Sequence, residues 1–248
     1  MNFSTCRVLS NRNLSADFYL LEVEGKESAA GSGLLAGPVR MGQFYMIRAW
    51  ENIPVLSRPI SVYDAGNNCL AFVYRTIGWG TGIFAALKPN DTVSLLGPLG
   101  NGFPDVEGKV ALVGGGAGVS PLYLAAKQIK AAHAGCRVDV FLGFSGEPFL
   151  VKEFESAADR VIVNVGGFIT DEIDPSGYDH VLSCGPEIMM KVLYEKCRTA
   201  GTKLYVSLEN RMACGVGACF GCSRPVGGSN KKVCKDGPVF PAEEVFGG

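Results

Sequence analysis

The sequence predicts a multi-domain β plus α/β protein: an antiparallel barrel, then a doubly wound parallel-sheet α/β domain, then a small cysteine-rich module. Three observations carry this. Closely spaced runs of β-branched and aromatic residues fill the first hundred positions. After Pro104, short apolar runs alternate with helical segments. From about Glu209 the chain turns rich in glycine and cysteine.

In the first region, strands are expected at residues 18–23, 43–48, 60–63, 70–74 and 92–96, separated by Gly, Asn and Asp turns such as residues 64–68. One helix, about residues 81–87, interrupts them. Strands this short and this close make a small antiparallel barrel. In the second region, a buried strand at 109–113 meets Gly114, Gly115, Gly116 and Gly118, and a helix runs from about Ser120 to His133. Further strands are expected at 137–142, 161–165, 180–183 and 204–208. A helix begins near Pro186, which suits a first helical turn because its missing N–H is not needed there. Strand–helix alternation of this kind builds an open parallel sheet.

Bulk properties narrow the function classes. At 248 residues there is room for two domains and an appendage, and 47% hydrophobic against 19% charged residues describes a folded chain. A net charge of −1 offers no basic field for nucleic acid or for an anionic membrane. The N-terminal residues lack the charged and apolar regions of a signal peptide. The most apolar segment, residues 110–126, is broken by four glycines and a proline, so no membrane span is expected. Cys6, Cys69, Cys136, Cys184 and Cys197 are scattered singly, which reads as reduced thiols and a cytoplasmic location.

The other four cysteines are patterned. Cys214, Cys219 and Cys222 follow C-x4-C-x2-C, and Cys234 comes after eleven intervening residues. That is the plant-type spacing for a [2Fe-2S] cluster, in which one loop supplies three thiolates and a separate turn the fourth. Gly215, Gly217 and Gly221 let the loop curl and aim backbone N–H groups at the sulfurs. The rival readings are disulfides and zinc. Zinc sites usually pair cysteines as two C-x2-C knuckles, and only Cys219 and Cys222 form one here.

Two loops suit a nucleotide. The glycines after the first α/β strand allow a diphosphate to approach bare backbone, with the helix N-terminus adding partial positive charge. Ser120 is also placed to cap that helix. Cys184, Gly185 and Pro186 end a later strand, where open α/β sheets bind ligands. Taken singly, each is also an ordinary strand-to-helix turn. In the barrel, Arg58 has the planar fork that pairs with phosphate, Ser61 can exchange a hydrogen bond with a ring nitrogen, and Gly80 and Thr81 open the short helix. A surface arginine and a core aromatic strand explain these residues equally well one at a time.

Electron counting joins the pieces. A nicotinamide passes two electrons as a hydride, whereas a [2Fe-2S] centre accepts one. A flavin converts between the two, and the barrel is where it would bind. Acid–base machinery is poorly represented: His133 and His180 read as structural, and no catalytic residue is assigned. Glu147, after the second α/β strand, can bond ribose hydroxyls or equally be a solvated turn residue, and no Lys or Arg lies within residues 144–148 to receive a 2′-phosphate. NADH is therefore favoured over NADPH.

The motifs Arg58-Pro59-Ile60-Ser61, Gly114 to Pro121 and Cys184-Gly185-Pro186 resemble those of the ferredoxin–NADP reductase superfamily. The run from Ser207 to Cys222, with residues 233–240, is similar to the electron transfer subunit of class 1B dihydroorotate dehydrogenase, an iron–sulfur flavoprotein. The resemblance spans essentially the whole chain. It implies an FAD-binding barrel at residues 1–104, an NAD-binding α/β domain at 105–206 and a [2Fe-2S] module at 207–248. It places Arg58, Pro59, Ile60, Ser61, Tyr74, Arg75, Gly80 and Thr81 at the flavin. NAD(H) falls on Gly114, Gly115, Gly116, Gly118, Cys184, Gly185 and Pro186, and the metal ligands are Cys214, Cys219, Cys222 and Cys234.

The resemblance also implies a partner, an FMN-containing catalytic subunit that oxidises dihydroorotate in pyrimidine (UMP) biosynthesis, with two copies of each chain. Electrons would run from FMN through the cluster and FAD to NAD⁺. The alternative is a subunit of an NAD(P)H-linked sulfide dehydrogenase or ferredoxin reductase. The superfamily often carries an aromatic where this chain has Ile60, so flavin stacking is expected from elsewhere. The chain also continues beyond Tyr205, so no terminal aromatic is expected to shield the ring.

Overall fold

Alternating side chains along the early strands wrap a sheet on itself. The computed structural model describes residues 3–25 and 38–247. Strands β1 (Ser4–Ser15), β2 (Phe18–Glu24), β3 (Phe44–Arg48), β4 (Arg58–Gly66), β5 (Cys69–Arg75) and β6 (Thr92–Leu99) close a barrel in the order β1-β2-β5-β4-β3-β6. Leu21, Tyr45, Ile47, Val62, Phe72 and Leu95 fill its interior. The β4–β5 hairpin turns on Asn67 and Asn68, both at positive φ (51° and 55°), which matches the strand twist. Helix α1 (Trp79–Ala85) opens two residues before Thr81 because Gly78 is its N-cap, and it buries Phe84 beneath the barrel.

The first strand lies outside the sequence expectation. Only Cys6 and Val8 of its first half are buried; the rest is polar apart from the exposed Leu9 and the half-buried Leu14. That polarity has local partners: the Asn11 amide donates to the carbonyls of Phe84 (2.8 Å) and Leu87 (3.2 Å).

The second half builds β7 (Lys109–Gly115), a 3-10 turn at Gly116–Val119, α2 (Ser120–Ala132), β8 (Arg137–Phe144), α3 (Val151–Ala157), β9 (Arg160–Val165), β10 (His180–Cys184), α4 (Glu187–Ala200) and β11 (Lys203–Ser207). The C-terminal segment adds the hairpin β12 (Ser223–Val226) and β13 (Ser229–Lys232), a short α5 (Val233–Asp236), β14 (Val239–Pro241) and α6 (Ala242–Phe246). The sheet order is β14-β11-β10-β7-β8-β9. All pairs are parallel except β14, which runs antiparallel on β11. The chain leaves β7 toward β8 and β9, then crosses back to β10 and β11. The switch point therefore lies between β7 and β10.

Two end signals differ from expectation. Ser120 is the first residue of α2 and caps nothing, because the 3-10 turn has already begun the helical path; its hydroxyl is buried without a partner. Pro186 stays extended (ψ 133°) as the N-cap of α4, which opens at Glu187. Among the described residues no helix is long and apolar enough to cross a membrane.

Helix α2 docks the α/β unit on the barrel. Tyr123 stacks on Tyr63 with centroids 4.5 Å apart, and the Lys127 ammonium pairs with Asp64 at 2.6 Å. Gln128 donates to the Val39 carbonyl (2.7 Å) and accepts from the Met41 N–H (2.8 Å). Both bonds are to backbone that has no other secondary structure to satisfy it. Gln128→Ala is expected to cost about 1–3 kcal/mol, because a lost side chain leaves both groups unpaired. Urea denaturation of the whole chain measures it.

Candidate metal centre and nucleotide site

The cysteine loop is organised by its own backbone. The Cys214 sulfur accepts N–H bonds from Val216 and Cys219 at 3.4 Å each. Cys219 accepts from Gly221 (3.4 Å), Cys222 from Cys234 (3.4 Å) and Cys234 from Gly217 (3.1 Å). Each of the four sulfurs thus has at least one N–H aimed at it, as a negatively charged sulfur requires. Gly217 reaches this geometry at φ +80°, and Cys234 is carried in by α5. No disulfide links any of the nine cysteines.

The four thiols form one interacting group: Cys219 bonds Cys214, Cys222 bonds Cys234, and Cys234 also feels the Cys214 charge. Four sulfurs at the plant-type spacing, each with an N–H aimed at it, fit a [2Fe-2S] cluster. Their electrostatics fit as well. Burial raises the Cys214 thiol, but the N–H groups of Val216 and Cys219 outweigh it and bring the pKa down to about 6. Cys234 is pushed up, by burial first and then by neighbouring Cys222. Cationic iron between such sulfurs relieves that repulsion.

At the switch point, the two predicted loops come together. Cys184 pairs with Gly114 across the β7–β10 ladder. Neither loop has room for side chains against the other. A Cβ on Gly115 would stand 2.9 Å from Pro186 Cδ and Met189 Sδ, and one on Gly185 2.9 Å from the Gly115 backbone. A Cβ on Gly118 would overlap the Cys184 backbone, and one on Gly114 would meet Leu122 and the Val119 backbone at 2.9 Å. Gly116 differs: it sits at φ +55° with open space in front of it. Three of the glycines therefore bring the loops into contact, and one borders the cleft. Cys184 is fully buried, and its thiol is pushed well above the usual range by that burial, then by the nearby Glu209 charge.

In the barrel, Arg58, Pro59, Ile60 and Ser61 form a run of four half-buried residues at the start of β4. The Arg58 guanidinium lies 5.3 Å from the Trp50 ring centre, donates to the Leu56 carbonyl, and occupies the space a side chain on Gly80 would need. Arg58 and Gly80 are thus adjacent. The Thr81 hydroxyl serves its own turn, accepting from the N–H groups of Ile77 (3.0 Å) and Gly78 (3.2 Å). Tyr74 is buried, stacked on Tyr19 and bonded to Asn11 (3.1 Å), which leaves mainly its backbone for a ligand. Arg75 is ion-paired with Asp17 at 2.6 Å. A cradle of bare backbone beneath a guanidinium fits a phosphate-bearing cofactor.

Sequence reasoning missed the residues that link these sites. Asn210 holds the Cys222 carbonyl (3.0 Å). Arg224 of β12 forms a two-pronged pair with Glu187 at the start of α4 (3.1 and 3.0 Å). Met46 of β3 packs against Gly215 of the cysteine loop. One signal was available for Met46: β3 is apolar on both faces, so its outer side had to be covered by something.

Comparison with known proteins follows the same division. Residues 209–246 match the family described as the iron–sulfur cluster binding domain of dihydroorotate dehydrogenase B. A relative from Clostridium acetobutylicum, named dihydroorotate dehydrogenase B (NAD(+)), electron transfer subunit, is 39% identical over 97% of this chain and 96% of its own. One of the same name from Geobacillus thermodenitrificans is 40% identical over 96% of both chains. Among solved structures, an NADH-dependent reduced ferredoxin–NADP oxidoreductase superposes with a TM-score of 0.84 at 30% identity, over 96% of this chain and 88% of that one. A ferredoxin NADP⁺ reductase from Neisseria gonorrhoeae shares the fold at 17% identity, with a TM-score of 0.63 over 84% of this chain and 94% of that one. The match is near full length and well above the level at which a fold alone is shared, so the chain belongs to the family of dihydroorotate dehydrogenase B (NAD(+)) electron transfer subunits.

Proposed function

We propose that the chain carries electrons between a dihydroorotate-oxidising catalytic subunit and NAD⁺, in the synthesis of pyrimidine nucleotides. The observation that carries this reading is the set of four cysteines, with N–H groups aimed at their sulfurs, on a barrel wall next to the Arg58–Ser61 strand. Bound FAD exchanges a hydride with nicotinamide and single electrons with a [2Fe-2S] cluster. The rest is done by this chain's residues.

Residues 1–104 bind the flavin, with Arg58 and the bare backbone at Gly80 on its phosphates and Ser61 near its ring. Pro59, Ile60 and the turn from Tyr74 and Arg75 to Thr81 shape the rim. Residues 105–206 bind NAD(H) across the β7–β10 switch point. There Gly116 lets the diphosphate lie against backbone, and Cys184, Gly185 and Pro186 border the nicotinamide. Glu147 follows β8 without a neighbouring cation, which suits a free ribose and hence NADH. Residues 207–248 hold the cluster on Cys214, Cys219, Cys222 and Cys234. Cys219 and Phe220 are exposed at the tip of that loop, and Val216 is partly so, which gives a partner an apolar landing beside the cluster. The partner in this reading is an FMN-containing catalytic subunit, two copies of each chain assemble, and the complex works in the cytoplasm. The curated relatives at 39% and 40% identity carry the dihydroorotate dehydrogenase name, whereas the ferredoxin–NADP oxidoreductase structure is more distant at 30% identity.

Four outcomes are expected. The purified chain contains flavin and acid-labile sulfide, copurifies with an FMN protein, and restores NAD⁺-linked dihydroorotate oxidation to it; absence of labile sulfide refutes the reading. Cys219→Ser destabilises the cluster and abolishes dihydroorotate-to-NAD⁺ flux, yet NADH still bleaches the flavin in stopped-flow. Gly118→Ala, which collides with backbone, lowers the melting temperature more than Gly116→Ala does. By contrast, Gly116→Val chiefly weakens NADH binding in a fluorescence titration, and unchanged affinity removes that loop from the site.

A further inference from the structure

Strand β3 is buried on both sides. Tyr45 and Ile47 point into the barrel, while Phe44 and Met46 point out and are equally buried, at 3% and 1% exposure. The cysteine module covers them. Phe44, Met46, Leu96 and Leu99 share one apolar cluster with Met212, Cys222, Val233 and Cys234.

Met46 is the point of closest approach. A Cβ built on Gly215 would stand 2.5 Å from Met46 Cγ, 3.0 Å from its Sδ and 3.2 Å from Leu99 Cδ1. Gly215 follows Cys214 directly and sits at φ +72°, so both its shape and its missing side chain are required there. Through its main chain, Met46 pairs with Pro59 on one side and Leu96 on the other. One residue therefore touches the backbone beside a cluster ligand with its side chain and the Arg58–Ser61 strand with its peptide.

We propose that Met46 is a positioning residue for electron transfer between flavin and cluster. Its side chain is the mount that fixes the Cys214–Gly215 turn against the flavin-binding strand. This rests on the functional reading above. One electron crosses per hop, leaving one centre and arriving at the other; Met46 gains and loses neither electron nor proton. An unbranched, polarisable thioether suits the place because it fills an irregular gap against bare backbone without strain.

The test compares the complete, cofactor-loaded chain as wild type, Met46→Leu and Met46→Ala. Stopped-flow separates bleaching of the flavin by NADH from the reduction of the cluster that follows. The EPR spectrum and midpoint potential of the cluster are read on flavin-stripped protein. Flavin bleaching is expected to be unchanged throughout. Met46→Leu conserves volume and keeps cluster reduction within about twofold. Met46→Ala slows it beyond that margin, because electron transfer falls off exponentially with the separation of the centres, and it shifts the EPR g values. Gly215→Ala slows the same step, and the double variant with Met46→Ala, which removes the collision, recovers part of the loss.

Cluster reduction at the wild-type rate in Met46→Ala overturns the proposal while leaving the functional reading intact. Loss of the cluster from both Met46 variants overturns it too, because Met46 would then be general core filling. Loss confined to Met46→Ala supports the mount. Wild-type protein lacking flavin or labile sulfide sinks the functional reading and the mount together.

Discussion

The double burial of β3 is the constraint on which the other relationships depend. A barrel strand normally buries one face and wets the other. Here the outer residues Phe44 and Met46 are as dry as the inner Tyr45 and Ile47. The outer wall can be apolar only because the cysteine module lies on it. In turn, the module's short elements can be stable only because the wall completes their core. At 4 and 5 residues, α5 and α6 are too short to hold themselves together. The cysteine loop is thus folded onto the wall beside the Arg58–Ser61 strand, the candidate flavin site.

The candidate nucleotide cleft follows a different logic, one of subtraction. Where β7 and β10 end side by side, Gly115, Gly118 and Gly185 leave out side chains that would separate the two loops. The cleft left at the switch point is lined by backbone, and Gly116 is the position with space in front of it. The Arg224–Glu187 pair then ties the β12–β13 hairpin to the first turn of α4, one residue from Pro186. The pair is partly solvated, so its strength is modest, but it joins the metal-bearing segment to the nucleotide side of the sheet.

Most of this architecture was legible in the residues because burial leaves a period. Strands such as β5 and β7 are so apolar and β-branched that their limits were placed within two residues, and α2 within one. The failures share a cause. β1 pairs through backbone while presenting Arg7, Asn11 and Asn13, so its pattern carries little hydrophobic signal. The three- and four-residue strands β14, β12 and β13 are too short to show a period at all. The cysteine spacing was legible because cluster chemistry fixes it locally. The division of labour among the glycines was not, since only the neighbouring loop reveals which of them must lack a Cβ. For Met46 the need for a cover was legible but not what supplies it: an apolar residue in an apolar strand says nothing about its neighbour 169 positions away.

The last strand has a quieter consequence. β14 reaches only from Val239 to Pro241, yet it covers the flank that β11 would otherwise present to solvent. A parallel sheet with a bare flank invites the strands of other molecules. On the β11 side that flank is taken by three residues of the cysteine-rich segment, whose strand finishes in a proline that cannot donate a further bond, while β9 forms the opposite edge. The cysteine-rich segment therefore also shields one flank of the sheet. Excising it to obtain a minimal nucleotide-binding fragment would yield a sticky protein in place of a simpler one.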